Sequence, residues 1–261
     1  MKRDARFSIW IGGTFALFVV AGAVGFVWLP SAQPGAAQDL WATICRAVGV
    51  PTTQASVPAT GQPASDIAWT TATRALMARG DAARGAALAA ACNNCHGANG
   101  ISSDAAFPNL AGHSVAAIYK QLEDFKSGKR NTLVMGVFVA SLSAQDILDL
   151  AAHFASLPNP YTAAAIPVAD PAARSLIETG SPMRNIASCS ACHGPTRYVP
   201  GAPELRGQQR AYLEQQLQAF KTGDRRNDIS AQMRSVARQL TGDEIAMLAA
   251  YYASFPGTTS R

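Results

Sequence analysis

The chain has 261 residues, 48% of them hydrophobic and 15% charged, with a formal net charge of +5. That balance excludes global disorder and allows one large domain or two small ones. The surplus of positive charge is too modest to define a partner by itself.

In chain order, Lys2, Arg3 and Arg6 precede an uncharged run from Phe7 to Leu29, which Pro30 stops. Twenty-three residues suffice to cross a bilayer as a helix and exceed a signal peptide's usual apolar region. Residues 1–30 are therefore expected to form a cytoplasmic stub and a single transmembrane helix. Trp10 and Trp28 would sit at the two interfaces, with the basic end in the cytoplasm. The alternative is a cleaved signal peptide, with Gly35, Ala36 and Ala37 preceding a cut at Gln38. Both readings export the remainder, so the folded part is expected in a bacterial periplasm, where nucleic acid drops out as a partner.

Residues 31–69 read as a linker rich in Ala, Pro, Gln, Thr, Ser and Gly. One segment interrupts it, DLWATICRAVGV at 39–50, with Leu40, Trp41, Ile44 and Val48 at helical spacing. It suits a short helix on the membrane or a partner subunit, or one packed on its own globular domain. Its Cys45 lacks the small-residue setting of a lipidated cysteine, and either pairs with another chain or stays a buried thiol.

The rest is a tandem repeat. GDAARGAALAAACNNCHG (80–97) answers to ADPAARSLIETG and ASCSACHG (169–194), the second copy carrying an insertion near 181–185. FPNLAG (107–112) answers to APELRG (202–207), IYKQLEDFKSGKR (118–130) to LEQQLQAFKTGDR (213–225), and LSAQDILDLAAHFASLP (142–158) to LTGDEIAMLAAYYASFP (240–256). Domains over 70–160 and 161–261 follow. Each last segment opens with a hydroxyl and an acid three residues later, Ser143 with Asp146 and Thr241 with Glu244, close to a capping box. Ile147, Leu150, Ala151 and Phe154 then recur at helical spacing, as do Ile245, Leu248, Ala249 and Tyr252. No alternating strand pattern is evident, so the fold class is all-α. Cores this small call for a further source of stability.

CNNCH (92–96) and CSACH (189–193) carry the chemistry. Structural zinc wants four ligands, and each domain offers only Cys-x-x-Cys-His. A thioredoxin-type dithiol expects a βαβ setting that these helices do not provide. Cys-x-x-Cys-His is the attachment motif of c-type haem. Two thiols add to the vinyl groups of the porphyrin, and the next residue is thereby aimed at the iron. The motifs predict two haem c groups, bound covalently through Cys92, Cys95, Cys189 and Cys192, with His96 and His193 on the iron. Each copy also places a methionine seven residues before the leucine that opens its last helix, Met135 and Met233. A methionine alone is more often packing. Recurrence in register assigns these two as distal iron ligands, a pairing that raises the reduction potential. Met77, Met183 and Met247 lack matched partners and read as packing. His113 and His153, standing where the second copy has Gln208 and Tyr251, read as surface or packing residues, with a replacement axial ligand left open.

With two Cys-x-x-Cys-His motifs, Pro-x-Leu-x-Gly at 108–112 and 203–207, Gln-Leu-x-x-Phe-Lys-x-Gly at 121–128 and 216–223, and the matched methionines, residues 80–258 resemble the dihaem cytochrome c4 family. The resemblance implies two class I cytochrome c domains related by pseudo-twofold symmetry, with haems close enough to exchange electrons. It also implies that the carbonyls of Pro108 and Pro203 orient the two proximal histidines. The anchor and the 39–50 segment depart from the family's soluble members.

Acidic and basic residues balance over 66–158, whereas 159–261 has a surplus of three basic ones. That field could steer an acidic partner, although runs such as Asp224 to Asp228 are usual in solvated loops. The expected function is single-electron transfer between a quinol-oxidising complex and a terminal oxidase or reductase, without a small-molecule substrate. A cytochrome subunit of a periplasmic dehydrogenase is the alternative. A dihaem peroxidase needs a vacated iron position, against which the matched methionines argue.

Overall fold

A computed structural model of the protein describes residues 3–24, 64–130, 132–161, 166–167, 169–194 and 199–257. The chain divides into two units, Met1–Gln62 and Pro63–Arg261. In the first, α1 spans Arg3–Ala23. Its Phe15, Leu17 and Phe18 are exposed. Among the described residues no single helix is long and apolar enough to cross a membrane, the apolar stretch of α1 being Gly12–Ala23. The expected crossing helix over 7–29 is thus not shown. Its end beyond Val24, the 39–50 segment and Cys45 lie outside the described residues.

The second unit is helical, with one isolated bridge, Ser181 to Ile186, as its only extended pairing among the described residues. The first repeat comprises α2 (Thr71–Met77), α3 (Ala82–Leu88), α4 (Ala90–His96), α5 (Val115–Lys126), α6 (Leu133–Ala140) and α7 (Ala144–Ser156). The second comprises α8 (Pro171–Glu178), α9 (Ser190–His193), α10 (Arg210–Thr222), α11 (Gln232–Ala237) and α12 (Gly242–Ala253). Both expected capping boxes form. Ser143 Oγ accepts from Asp146 N at 3.1 Å while Asp146 Oδ2 accepts from Ser143 N at 2.7 Å. Thr241 and Glu244 repeat this at 3.2 and 2.8 Å. Each box satisfies two amides that the first turn would otherwise leave unpaired, fixing where the last helix starts. Asp81 and Asp170 cap α3 and α8 by accepting first-turn amides on their side chains, the latter with Pro171 in the first turn, where its missing N–H costs nothing.

Periodicity then decides the packing. Ile147, Leu150, Ala151 and Phe154 on α7 are buried against Ala116, Ile118 and Tyr119 of α5. Ile245, Leu248, Ala249 and Tyr252 on α12 are buried against Leu213 of α10 and Ala173, Leu176 and Ile177 of α8. These are separate clusters, one core per repeat. Ile67 and Trp69 pack on the first core, and Ser65 Oγ donates to Asp124 Oδ1 at 2.6 Å. Gly85 lets α3 lie directly on α7, because a Cβ there would stand 2.0 Å from the carbonyl oxygen of Asp149. Met77 is in the first core and Met247 packs on the second. Met183 is instead 98% exposed, because it rides on the three-residue turn Pro182–Arg184 of the insertion.

Candidate haem sites

In both repeats the Cys-x-x-Cys-His residues sit on a short helix at the end of the segment that crosses the core. Cys92, Cys95 and His96 lie on α4; Cys189 precedes α9, which carries Cys192 and His193. Gly97 ends α4 at φ +78°, and a Cβ there would lie 2.0 Å from Ile101 O, so the chain turns back at once. That return brings Pro108 to the histidine. His96 Nδ1 donates to Pro108 O at 2.8 Å, and His193 Nδ1 donates to Pro203 O at 2.8 Å. With Nδ1 committed, each ring offers Nε2 alone as a metal ligand. The prolines implied by resemblance therefore stand where they were expected.

Burial lowers the proton affinity of both rings against the pull of the proline carbonyls. Each histidine is thus held neutral, the form that can ligate iron. The four thiols are half-buried and free. Burial raises the Cys92 thiol and pushes that of Cys189 up to about 11, so both are protonated, the state that adds across a vinyl group. Among the described residues no three His, Cys, Asp or Glu side chains converge to hold a metal ion. Paired thiols beside a histidine with its tautomer fixed suit thioether attachment, and they offer no four-ligand zinc set. Two buried polar atoms have no hydrogen-bond partner among the described residues, Asn93 Oδ1 inside CNNCH and His113 Nδ1 after the proline loop. His113 is lowered to about 4 by burial; Glu204 opposes this and His193 adds to it. His153 packs on Phe154 with ring centroids 5.1 Å apart. Met135 and Met233 are both half-buried in the first turns of α6 and α11.

The sequence reading missed the polar seam between the repeats. Gln208 grips the main chain of Asn109, with Asn109 N donating to its Oε1 at 2.8 Å and its Nε2 donating to Asn109 O at 3.0 Å. Asn109 Nδ2 donates to Gly207 O at 2.8 Å, and Gln209 Nε2 to Ser102 O at 2.9 Å. Further along, Arg130 donates to Gln121 Oε1 at 2.8 Å and Gln216 Oε1 at 2.9 Å; Arg225 donates to the same two oxygens at 3.1 and 2.7 Å. Beside this ring, Lys120 pairs with buried Asp124 and donates to Asn227 O at 2.6 Å. The available signal was the recurrence of Gln121 with Gln216 and of Arg130 with Arg225 at matching positions.

Two repeats of one helical fold, each ending its attachment helix on an oriented histidine, define a tandem class I c-type cytochrome. A cytochrome c family profile matches residues 82–158. Cytochrome c4 of Pseudomonas aeruginosa is 38% identical over 182 residues, covering 67% of this chain and 88% of that protein. A thiosulfate dehydrogenase electron acceptor from Stutzerimonas stutzeri is 39% identical over 171 residues, 64% of this chain and 79% of that one. The crystal structure of reduced cytochrome c4 from Pseudomonas stutzeri superimposes with a TM-score of 0.61 at 34% identity, covering 68% of this chain and 100% of that one. The chain belongs to the cytochrome c4 family. It is a dihaem electron-transfer cytochrome, not a catalytic enzyme, with two haem c groups on the pairs Cys92/Cys95 and Cys189/Cys192.

Proposed function

We propose that this protein is a membrane-anchored carrier that passes single electrons from a quinol-oxidising complex to a terminal oxidase or reductase, with its cytochrome domains in the periplasm. The observation that carries the proposal is the pair of complete attachment sites, each with its histidine held by a proline carbonyl, in domains joined by one continuous polar seam. When bound, haem iron supplies a one-electron couple. The chain's own part is to hold each ring neutral and fixed, so that gaining or losing an electron requires little rearrangement.

Met135 and Met233 are the distal ligands in this reading. A thioether favours the ferrous state, and a filled sixth position suits transfer rather than peroxide reduction. The anchor is supported by the basic flank, the apolar run from Phe7 to Leu29 and the exposed Phe15, Leu17 and Phe18 on α1. Membranes washed with high salt and carbonate should retain the protein, and detergent should release it. A mature N-terminus at Gln38 on a protein that washes off would end the anchor reading.

The likeness to thiosulfate dehydrogenase electron acceptors favours a second reading, in which the donor is a periplasmic dehydrogenase. Mass spectrometry of complexes pulled down from detergent-solubilised membranes separates the two. Recovery of quinol-oxidising and oxidase subunits supports the first reading, and a stoichiometric dehydrogenase replaces it with the second.

A further inference from the structure

The ring formed by Gln121, Arg130, Gln216 and Arg225 has a property that neither domain has alone. Gln121 and Gln216 occupy matching places in the two repeats, and so do Arg130 and Arg225. Each arginine bonds the glutamine of its own domain and that of the other, in four hydrogen bonds that map onto themselves when the domains are exchanged. The ring therefore lies on the pseudo-twofold axis. Any point on such an axis is equally far from equivalent positions, so the ring is equidistant from the two attachment sites.

Its charge is also distinctive. Each guanidinium lies over a phenylalanine, Arg130 at 4.6 Å from the Phe125 ring centre and Arg225 at 4.4 Å from that of Phe220. Their remaining side-chain bonds end on neutral oxygens, Tyr212 Oη at 2.9 Å for Arg130 and Asn227 Oδ1 at 2.9 Å for Arg225. The nearby carboxylates are engaged elsewhere, Asp124 by Lys120 and Asp228 by Arg234 at 2.7 Å. Two positive charges are thus held side by side, neither hydrogen-bonded to a carboxylate side chain. Burial, and then repulsion from Arg130, lower the Arg225 guanidinium to about 9 against the pull of Tyr212 and Asp228, which still leaves it charged at neutral pH.

A fixed positive charge in a poorly solvated place disfavours the ferric state of a nearby iron, because oxidation adds one more positive charge. We propose that the Arg130–Arg225 pair is a shared electrostatic element that sets the reduction potentials of both haems together. A charge placed on the axis should move the two couples in the same direction and by similar amounts. A charge on the outer surface of one domain should act little and mainly on that domain. The four residues are positioning residues, acting on the irons through the field they hold in the seam.

The test is Gln216→Glu in the full dihaem protein. It keeps an accepting oxygen on each arginine and adds one negative charge to the ring. Spectroelectrochemical titration should show both midpoint potentials falling by similar amounts, with the shift persisting at high salt because the seam is shielded. Gln218→Glu, on the exposed side of the same helix α10, should leave both nearly unchanged. If Gln216→Glu loses a haem, Gln121→Glu supplies the same charge from the other domain and carries the same expectation. A drop confined to one couple, or none in a folded dihaem variant, would overturn the proposal, since a merely structural ring has no reason to move two potentials alike.

Discussion

The two cytochrome domains share helices, capping boxes and proximal hydrogen bonds, yet they are fastened differently. In the first, the carboxylate of Asp149 is buried beneath α3, accepting from Asp81 N at 2.7 Å, from Arg84 at 2.8 and 3.0 Å, and from Gln145 at 2.8 Å. In the second, Met247 takes that place and packs apolarly. The fastening moves to the insertion, where Arg184 grips Glu244 at 2.6 and 2.8 Å. The capping boxes and the proximal hydrogen bonds are common to both domains, whereas the side chains that lock the helices together are not. Each domain can therefore serve as the other's control.

The largest expected separation comes from the distal methionines. Met135→His should lower one reduction potential substantially and remove about half of the sulfur-to-iron charge-transfer absorption of the oxidised protein. Met233→His should do the same to the other couple, each leaving its neighbour much less changed. An unaltered spectrum in either variant would make that methionine a packing residue and would divide the domains by chemistry.

A smaller contrast concerns packing. Gly85→Ser should destabilise the first domain by about 1–3 kcal/mol, because its Cβ meets the Asp149 carbonyl and the α3–α7 packing must open. Ser175, which follows Ala-Ala-Arg in α8 as Gly85 does in α3, is exposed, so Ser175→Gly should cost under about 1 kcal/mol, through helix propensity alone. Thermal unfolding followed at the two haem environments measures both. Equal losses would mean that the two helix pairs pack alike after all.

The fastenings themselves can be told apart by acid. Asp149 is lowered to about 2, first by its hydrogen bond with Arg84, and Glu244 is lowered to about 2, first by Arg184. A carboxylate depressed in the folded state contributes stability that is present above its ordinary value and lost as pH falls through the folded one. Both domains should therefore weaken between about pH 4.5 and 2. Asp149→Asn should flatten that dependence in the first domain only, and Glu244→Gln in the second only. Acid titrations read by near-UV circular dichroism would show it, and a variant that flattened both would imply coupling through the seam.

What the sequence disclosed follows the reach of local rules. The caps at Ser143 and Thr241, the apolar faces of α7 and α12 and the attachment motifs rest on spacing within one segment, and they were legible; the proline carbonyls were reached only through the family resemblance. Asp149 was not, since a carboxylate between Ile147 and Leu150 reads as solvent-facing until Arg84, 65 positions away, is seen to satisfy it. The seam was hidden for the same reason. Gln121 and Arg130 look like exposed helix and loop residues, and their partners are 104 and 86 positions off. Met183 erred in the opposite direction, because an insertion breaks the periodicity on which a packing assignment depends.

The smallest expected effect lies on α6, where Leu133 is 92% and Val137 75% exposed. The matching residues of the second domain are Ala231 and Ser235. An apolar side chain that stays in water on folding gains nothing from burial, so its removal should cost nothing from lost transfer. Val137→Ser should then change stability by no more than about 0.5 kcal/mol. The substitution lies two residues from Met135 but replaces one neutral side chain by another, so both reduction potentials should hold as well. Denaturant unfolding and potentiometry together check this. If Val137→Ser costs more than a surface change should, the side chain is covered in the dihaem protein, and the difference between the two distal helices would belong to the folding of the first domain rather than to its surface.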